Sequence, residues 1–321
     1  MVEDQGMVAA GSRDSRRVVP VIKALTLAGG GANGEAAACQ VERMTKAGAG
    51  PWSVYSGESI GAANAYLIAL GGAADVASEW RGIYQQAIYR GGGFLDKVAV
   101  AIGKREGIYD MSPSIATIAK LANGRRLPAG LRVIVNVTDL KTGAMVENVL
   151  TRDTIPSSCV ELVYQSCLVP IAHGARDGRW ADGGISATAP LGPVVAAGAS
   201  DVDVVLLDQI GYAPWSPTPK ALDQGGRAID ILRDNAFFND LQGTILRNKI
   251  AAGPVGHGFR KVSATFHIPM TPLPDWMDFS PRAKAVRRNA GFTRMDIDSV
   301  YAELQANRRR ALAQSTGGLA A

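Results

Sequence analysis

The chain has 321 residues, enough to bury a full core as one large domain. Hydrophobic residues make up 47% and charged residues 20%, which excludes a disordered chain; the formal net charge is +5. Three cysteines, Cys39, Cys159 and Cys167, are odd in number and lack metal-ligand spacing, so neither a disulfide framework nor a structural metal site is read.

Residues 1–20 are polar and charged and read as a flexible tail without the apolar core of a Sec signal. No later run of about 18 apolar residues marks a membrane span. The expectation is a cytoplasmic protein, with leaderless export left open. Residues 21–28 read as a strand, a glycine loop follows, and residues 34–47 read as a helix. Next come a strand at 52–56 and helices at 60–70, 74–89 and 113–122. Strands at 131–138 and 144–150, a helix at 154–165, a strand at 202–208, a helix at 224–250 and a strand at 261–268 complete the pattern. Such alternation predicts an α/β fold with a mainly parallel sheet and helices on both faces. Residues 21–210 carry the motifs, and 211–321 read as the rest of the same domain, with a basic helical end. Ligands of such sheets sit at the carboxyl ends of the strands.

Gly57-Glu58-Ser59-Ile60-Gly61 lies between a predicted strand and a predicted helix. This is G-x-S-x-G on a strand-to-helix turn, the nucleophile elbow. The turn is tight, so the flanking residues must be small, and Gly57 and Gly61 meet that demand. A serine attacking an ester carbonyl places negative charge on oxygen, and backbone N–H groups are its usual stabiliser. Gly29, Gly30 and Gly31, ahead of a helix N-terminus, are the candidates for that oxyanion hole. The same loop also matches Gly29-x-Gly31-x-x-Gly34, the dinucleotide fingerprint, with Glu58 as the acid expected on a ribose. That alternative leaves Ser59 and a later acidic motif unexplained.

The acidic motif is Trp180-Ala181-Asp182-Gly183-Gly184, a carboxylate at the end of a short strand that also reads as an ordinary Asp-Gly turn. Only three histidines exist to serve as a base: His173, His257 and His267. His173 precedes a turn, and His267 alternates within a predicted strand, where a structural role is expected. His257, in a glycine-rich stretch, leaves a Ser-His-Asp triad open; direct pairing of Ser59 with Asp182 is the favoured arrangement.

In this order, the glycine loop, G-x-S-x-G and D-G-G resemble the patatin-like phospholipases. Val137 to Gly143, Ser157-Ser158 followed by Pro170, and Ala189-Pro190 are weaker echoes. The resemblance covers roughly residues 21–210 and implies a three-layer α/β/α fold with a Ser-Asp dyad. It further implies a lipid acyl hydrolase of the phospholipase A type, with Ser59 as nucleophile, Asp182 as base, and no metal or cofactor. An acyltransferase at the same site shares these features. Two departures stand out: Asn33 occupies the place of a basic residue in the loop, and Thr188 that of an Asn.

Residues 282–310 hold eight cations, Arg282, Lys284, Arg287, Arg288, Arg294, Arg308, Arg309 and Arg310, against Asp296, Asp298 and Glu303, a surplus of eight minus three, or +5. That surplus could attract anionic lipid headgroups at a membrane surface, and reads equally as a solvated helix face. No aromatics interleave to stack bases, so no nucleic-acid partner is expected. Gly91-Gly92-Gly93-Phe94-Leu95 and the stretch from Pro214 to Pro219 are candidate lids or interfacial loops and read equally as plain connections. Nothing in the residues specifies a protein activator.

Overall fold

The computed structural model describes residues 20–210, 221–253 and 260–317. The chain enters through β1 (Lys23–Leu27), a glycine loop and α1 (Gly34–Lys46), then β2 (Val54–Gly57), α2 (Ile60–Gly71) and α3 (Ala73–Trp80). An excursion follows: β3 (Arg90–Gly91), α4 (Phe94–Ala101) and β4 (Tyr109–Asp110). The middle of the chain forms α5 (Ser112–Ala122), β5 (Arg132–Asp139), β6 (Ala144–Leu150), α6 (Pro156–Gln165) and β7 (Trp180–Asp182). It ends with α7 (Gly192–Ala196), β8 (Asp201–Val205), α8 (Ala221–Ala252), β9 (Ser263–Pro269), α9 (Pro281–Arg288), β10 (Phe292–Asp296) and α10 (Ile297–Gly317).

The sheet runs β10-β9-β8-β1-β2-β5-β6. Pairs β1–β2, β1–β8, β2–β5 and β8–β9 are parallel, while β6, β7 and β10 pair antiparallel to their neighbours. A parallel strand is buried on both faces, and its residues alternate between two cores. Leu25, Leu27, Tyr55, Val133 and Val135 face one core, shared with α1, α2, α3 and α6. Ala24, Val54, Ile134, Val202 and Phe266 face the other, shared with α7, α8 and α10. The architecture is therefore the expected three layers, helices on both faces of a mainly parallel sheet. No helix among the described residues is long and apolar enough to cross a membrane.

Where expectation and structure differ, local chemistry explains it. The predicted helix 74–89 stops at Trp80, with Arg81 and Gly82 in a turn and only a single 3₁₀ turn at Gln85–Ala87. The basic end is not continuously helical, because Gly291 releases the chain into β10, which pairs with β9. Nor is it simply a solvated face. Lys284 and Arg287 are buried, and Lys284 donates to the carbonyls of Trp80 and Ile83, both at 2.6 Å, capping the end of α3. The tail, the stretch from Pro214 to Pro219, and His257 lie outside the described residues.

Sheet pairing creates the site. One edge of β5 is held by β6 along its length. The other is held by β2 only from Arg132 to Val135, because β2 ends at Gly57. Beyond that point β7 takes the vacated edge, with Asp182 opposite Val137. The acid thus lies just past the strand end from which the serine turn departs.

Candidate active site

Ser59 occupies the turn between β2 and α2 with φ 55° and ψ −135°. This is a strained conformation for a residue with a Cβ, and such strain concentrates at functional positions. Steric need explains both flanking glycines. A Cβ on Gly57 would sit 2.4 Å from the Gly61 carbonyl carbon, and one on Gly61 would sit 2.1 Å from the Leu27 oxygen. The turn is tied down from behind: the Ser59 N–H donates to Ser166 Oγ at 2.9 Å and to the Ser166 carbonyl at 3.0 Å. Ser166 Oγ in turn donates to the Asn136 carbonyl at 2.6 Å.

The structure brings Ser59 and Asp182 together. The Ser59 hydroxyl lies close enough to the Asp182 carboxyl to lower its pKa. Asp182 is buried, and its Oδ1 accepts the Gly184 N–H at 2.7 Å. Burial pushes its pKa up to about 6, while the Ser59 hydroxyl, the Gly184 N–H and the charge of Arg233 pull it down. It is therefore ionised at neutral pH yet more basic than an ordinary carboxylate. Its strand is held by Asp182 N–H to Leu168 O at 2.9 Å and Thr138 Oγ1 to Asp182 O at 2.8 Å. Arg179, just before β7, makes a forked pair with Asp139 at 2.9 and 2.8 Å, and its guanidinium holds the Asp139 carboxyl below the usual carboxylate range.

Glu58 has a role that the motif did not reveal. It is fully buried, and its Oε1 accepts the N–H of Gly29 and of Ala189, each at 2.9 Å. One carboxyl oxygen therefore joins the glycine loop, the elbow and the loop beyond D-G-G. Two corrections follow. Gly29 N–H is engaged by Glu58 and is not free for an oxyanion, so of the three expected donors Gly30 and Gly31 remain; their N–H groups have no partner among the described residues. Glu58 is also closed off from any ribose, which removes the acid from the dinucleotide reading.

Burial pushes the Glu58 pKa up to about 8; the two N–H donors and Arg233 lower it, and the Asp182 charge raises it. The two carboxyl groups are thus pushed apart, with Asp182 ionised and Glu58 protonated near pH 7. The native state then holds a proton that the unfolded chain, at an ordinary 4.5, has released. Stability lost to this group grows as pH rises from 4.5 and is complete above 8. Asp182 acts in the same direction, but only up to about 6. His173 acts oppositely: burial lowers its pKa from 6.5 to about 4, so stability rises with pH across that interval. Among these three, Glu58 alone titrates between 6.5 and 8. Thermal melts should show stability falling there by roughly 1 kcal/mol per pH unit. Glu58→Gln, an isostere of the protonated acid, should flatten that slope. Glu58→Ala, which strands two buried N–H groups, should cost about 2–4 kcal/mol. An unchanged slope in Glu58→Gln would contradict this assignment.

The glycine loop is covered by the segment between β9 and α9. Ala32 N–H donates to the Trp276 carbonyl at 2.7 Å, and a Cβ on Gly31, at φ +54°, would lie 2.5 Å from that oxygen. Arg287 of α9, fully buried, organises both sides. Its Nε donates to Asn33 Oδ1 at 2.7 Å, its Nη2 to the Asp275 carbonyl at 2.7 Å, and its Nη1 to the Asp278 carbonyl at 2.5 Å. A guanidinium from a distant helix thus reaches the loop position where Asn33 departs from the expected basic residue.

The histidines do not pair with Ser59 among the described residues. His267 is buried and shared between Gln40 at 3.3 Å and Asp203 at 3.2 Å, the structural role expected of it. His173 Nδ1 accepts from Val169 N–H at 3.2 Å and lies 3.1 Å from the Cys167 carbonyl; its ring meets Tyr109 and Trp276 edge-on. Arg233 of α8 donates to Thr188 Oγ1 at 3.2 Å and carries the positive charge felt by both Glu58 and Asp182. Neither Ser166 nor Arg233 stands in a motif. For Arg287 the only signal was the missing basic residue at position 33. A cavity of about 550 Å³ is lined by Ile60, Ala63 and Leu67 of α2 together with residues of α3 and α5, and neither Ser59 nor Asp182 lines it.

No protein-family model matches this chain, and no curated protein matches it. Among solved structures it is similar to VipD from Legionella pneumophila, at 14% identity and a TM-score of 0.39, over 90% of this chain and 68% of that one. That is a loose likeness of shape.

Proposed function

We propose that this chain is a serine acyl hydrolase acting on lipid esters, of the phospholipase A type. The observation that carries the reading is the Ser59 hydroxyl, on a strained glycine-flanked turn, set close enough to the buried carboxyl of Asp182 to lower its pKa. Asp182 takes the Ser59 proton as Oγ bonds to the acyl carbonyl carbon. The carbonyl electrons move to oxygen, where the Gly30 and Gly31 N–H groups receive the charge. The intermediate collapses, the alcohol leaves with the proton, and an acyl-enzyme remains. Water, deprotonated by Asp182, then releases the fatty acid and restores the serine. Pushed up to about 6, Asp182 is a stronger base than a free carboxylate and still charged at neutral pH.

The lipid part of the reading draws on the ordered triple of glycine loop, G-x-S-x-G and D-G-G.

A fluorophosphonate probe should label Ser59, located by peptide mass spectrometry, and Ser59→Ala should abolish both labelling and release of fatty acid from phospholipid. Hydrolysis that survives Ser59→Ala would refute the proposal.

A further inference from the structure

Helix α4 buries none of its residues. Phe94 is 78% exposed, Leu95 80%, Val98 39% and Ile102, its C-cap, 60%. At roughly 100° per residue these four fall within an arc of about 100° on one face. Four apolar side chains in one stripe, open to water, are a surface that asks for a partner. An eight-residue helix is far too short to cross a bilayer and suits lying in its surface.

Charge chooses among partners. Residues 90–106 hold Arg90, Lys97, Lys104 and Arg105 against Asp96 and Glu106, four minus two, or +2. Asp96 is already neutralised by Arg105 and Arg90 faces Asp110 across the β3–β4 pair, which leaves Lys97 and Lys104 as exposed cations of the excursion, against the exposed Glu106. An apolar stripe flanked by cations complements an anionic lipid surface.

Position gives the surface a purpose. The base of the excursion is the β3–β4 pair, and Tyr109 N–H donates to the Ala172 carbonyl at 2.8 Å. Tyr109 meets His173, His173 meets Trp276, and Trp276 covers Gly31. The base of the excursion, at Tyr109, is therefore connected by ring contacts to the cover of the glycine loop. Gly91 and Gly92, at φ +84° and +93°, begin the excursion.

We infer that α4 is an interfacial docking helix that seats the protein on anionic phospholipid membranes. The inference names the physical form of the substrate, a lipid surface, and rests on the proposed function only for that purpose, since docking itself needs no catalysis.

The test uses the full chain carrying Ser59→Ala, so that no lipid is consumed. Flotation with phosphatidylcholine vesicles containing about 30 mol% phosphatidylserine should carry the protein up, and pure phosphatidylcholine vesicles should do so much less. Phe94→Glu with Leu95→Glu should weaken binding at least about tenfold, with circular dichroism unchanged because both side chains are mostly in solvent. Lys97→Ala and Lys104→Ala should each weaken it by about fivefold, and added salt should erase that difference. The inference is overturned if the Ser59→Ala protein stays with the solvent, or if the double variant floats equally well. It is also overturned if the double variant converts a dimer to a monomer in size-exclusion chromatography, since the stripe would then belong to a second copy. Absence of ester turnover in the unmodified enzyme would sink the hydrolase reading and leave the flotation result standing.

Discussion

Asp182→Asn should lower kcat by about 10³–10⁴-fold while leaving the fold intact. The side chains have nearly the same volume, and the Asn oxygen can still accept the Gly184 N–H that Asp182 Oδ1 accepts at 2.7 Å. What the amide cannot do is take a proton from Ser59. KM should change little, because the lost interaction belongs to the transition state. The pH profile gives an independent readout. With burial holding the Asp182 pKa up to about 6, kcat/KM should fall as pH drops through 6, when the base becomes protonated. Stopped assays on a soluble ester from pH 4.5 to 8 would show it. An Asp182→Asn enzyme within tenfold of the parent would mean that another base serves Ser59, and His257→Ala is then the variant to examine.

Arg287→Ala should be the most destabilising single change at the rim of the site, by about 3–5 kcal/mol, a fall in Tm of roughly 10 °C. The guanidinium is fully buried and donates to Asn33 Oδ1 and to the carbonyls of Asp275 and Asp278. Truncation leaves the buried Asn33 Oδ1 and two part-buried carbonyls without this partner, and a void where the side chain packed. Arg287→Lys keeps the charge but not the planar fork, so it should recover only part of the loss. If Arg287 positions the glycine loop, the lysine variant should show a reduced kcat with KM nearly unchanged at a temperature where it is folded. A purely structural role would leave kcat of the folded lysine variant untouched. An Arg287→Ala protein that melts with the parent would contradict the assignment.

The parts of the site legible in the sequence are those set by near neighbours in the chain. Gly57 and Gly61 are required because Cβ atoms there would strike the turn itself and the end of β1. The alternation of apolar runs announces β1, β2, β5 and β8 because both faces of a parallel strand are buried. Asp182 could be singled out as an acid before Gly-Gly, though an ordinary turn would look the same.

Glu58 and Arg287 were not legible, and α4 only as a candidate lid or interfacial loop at Gly91 to Leu95, each for a physical reason. A carboxylate between Gly57 and Ser59 carries no mark of whether it faces water, a ribose or two buried N–H groups. Its partners Gly29 and Ala189 are 29 and 131 residues away. The composition of residues 282–310 suggested a charged surface, yet Arg287 and Lys284 turn inward because α9 packs against α1 and the end of α3. Phe94 and Leu95 look like core residues by type, and only the topology, which sends the excursion away from both cores, leaves them in solvent.

By itself, then, the sequence determined the strand-to-helix serine turn, the glycine loop and the layered α/β plan. Backbone conformation and burial periodicity are decided by residues a few positions apart. The tertiary structure alone decided which loop N–H groups stay free and which charges are buried, and it set Asp182, already singled out in the sequence, beside Ser59. Those depend on β2 ending at Gly57 and β7 taking the edge of β5 that it vacates, pairings between segments 78 residues apart (Val54 with Arg132) and 45 residues apart (Val137 with Asp182).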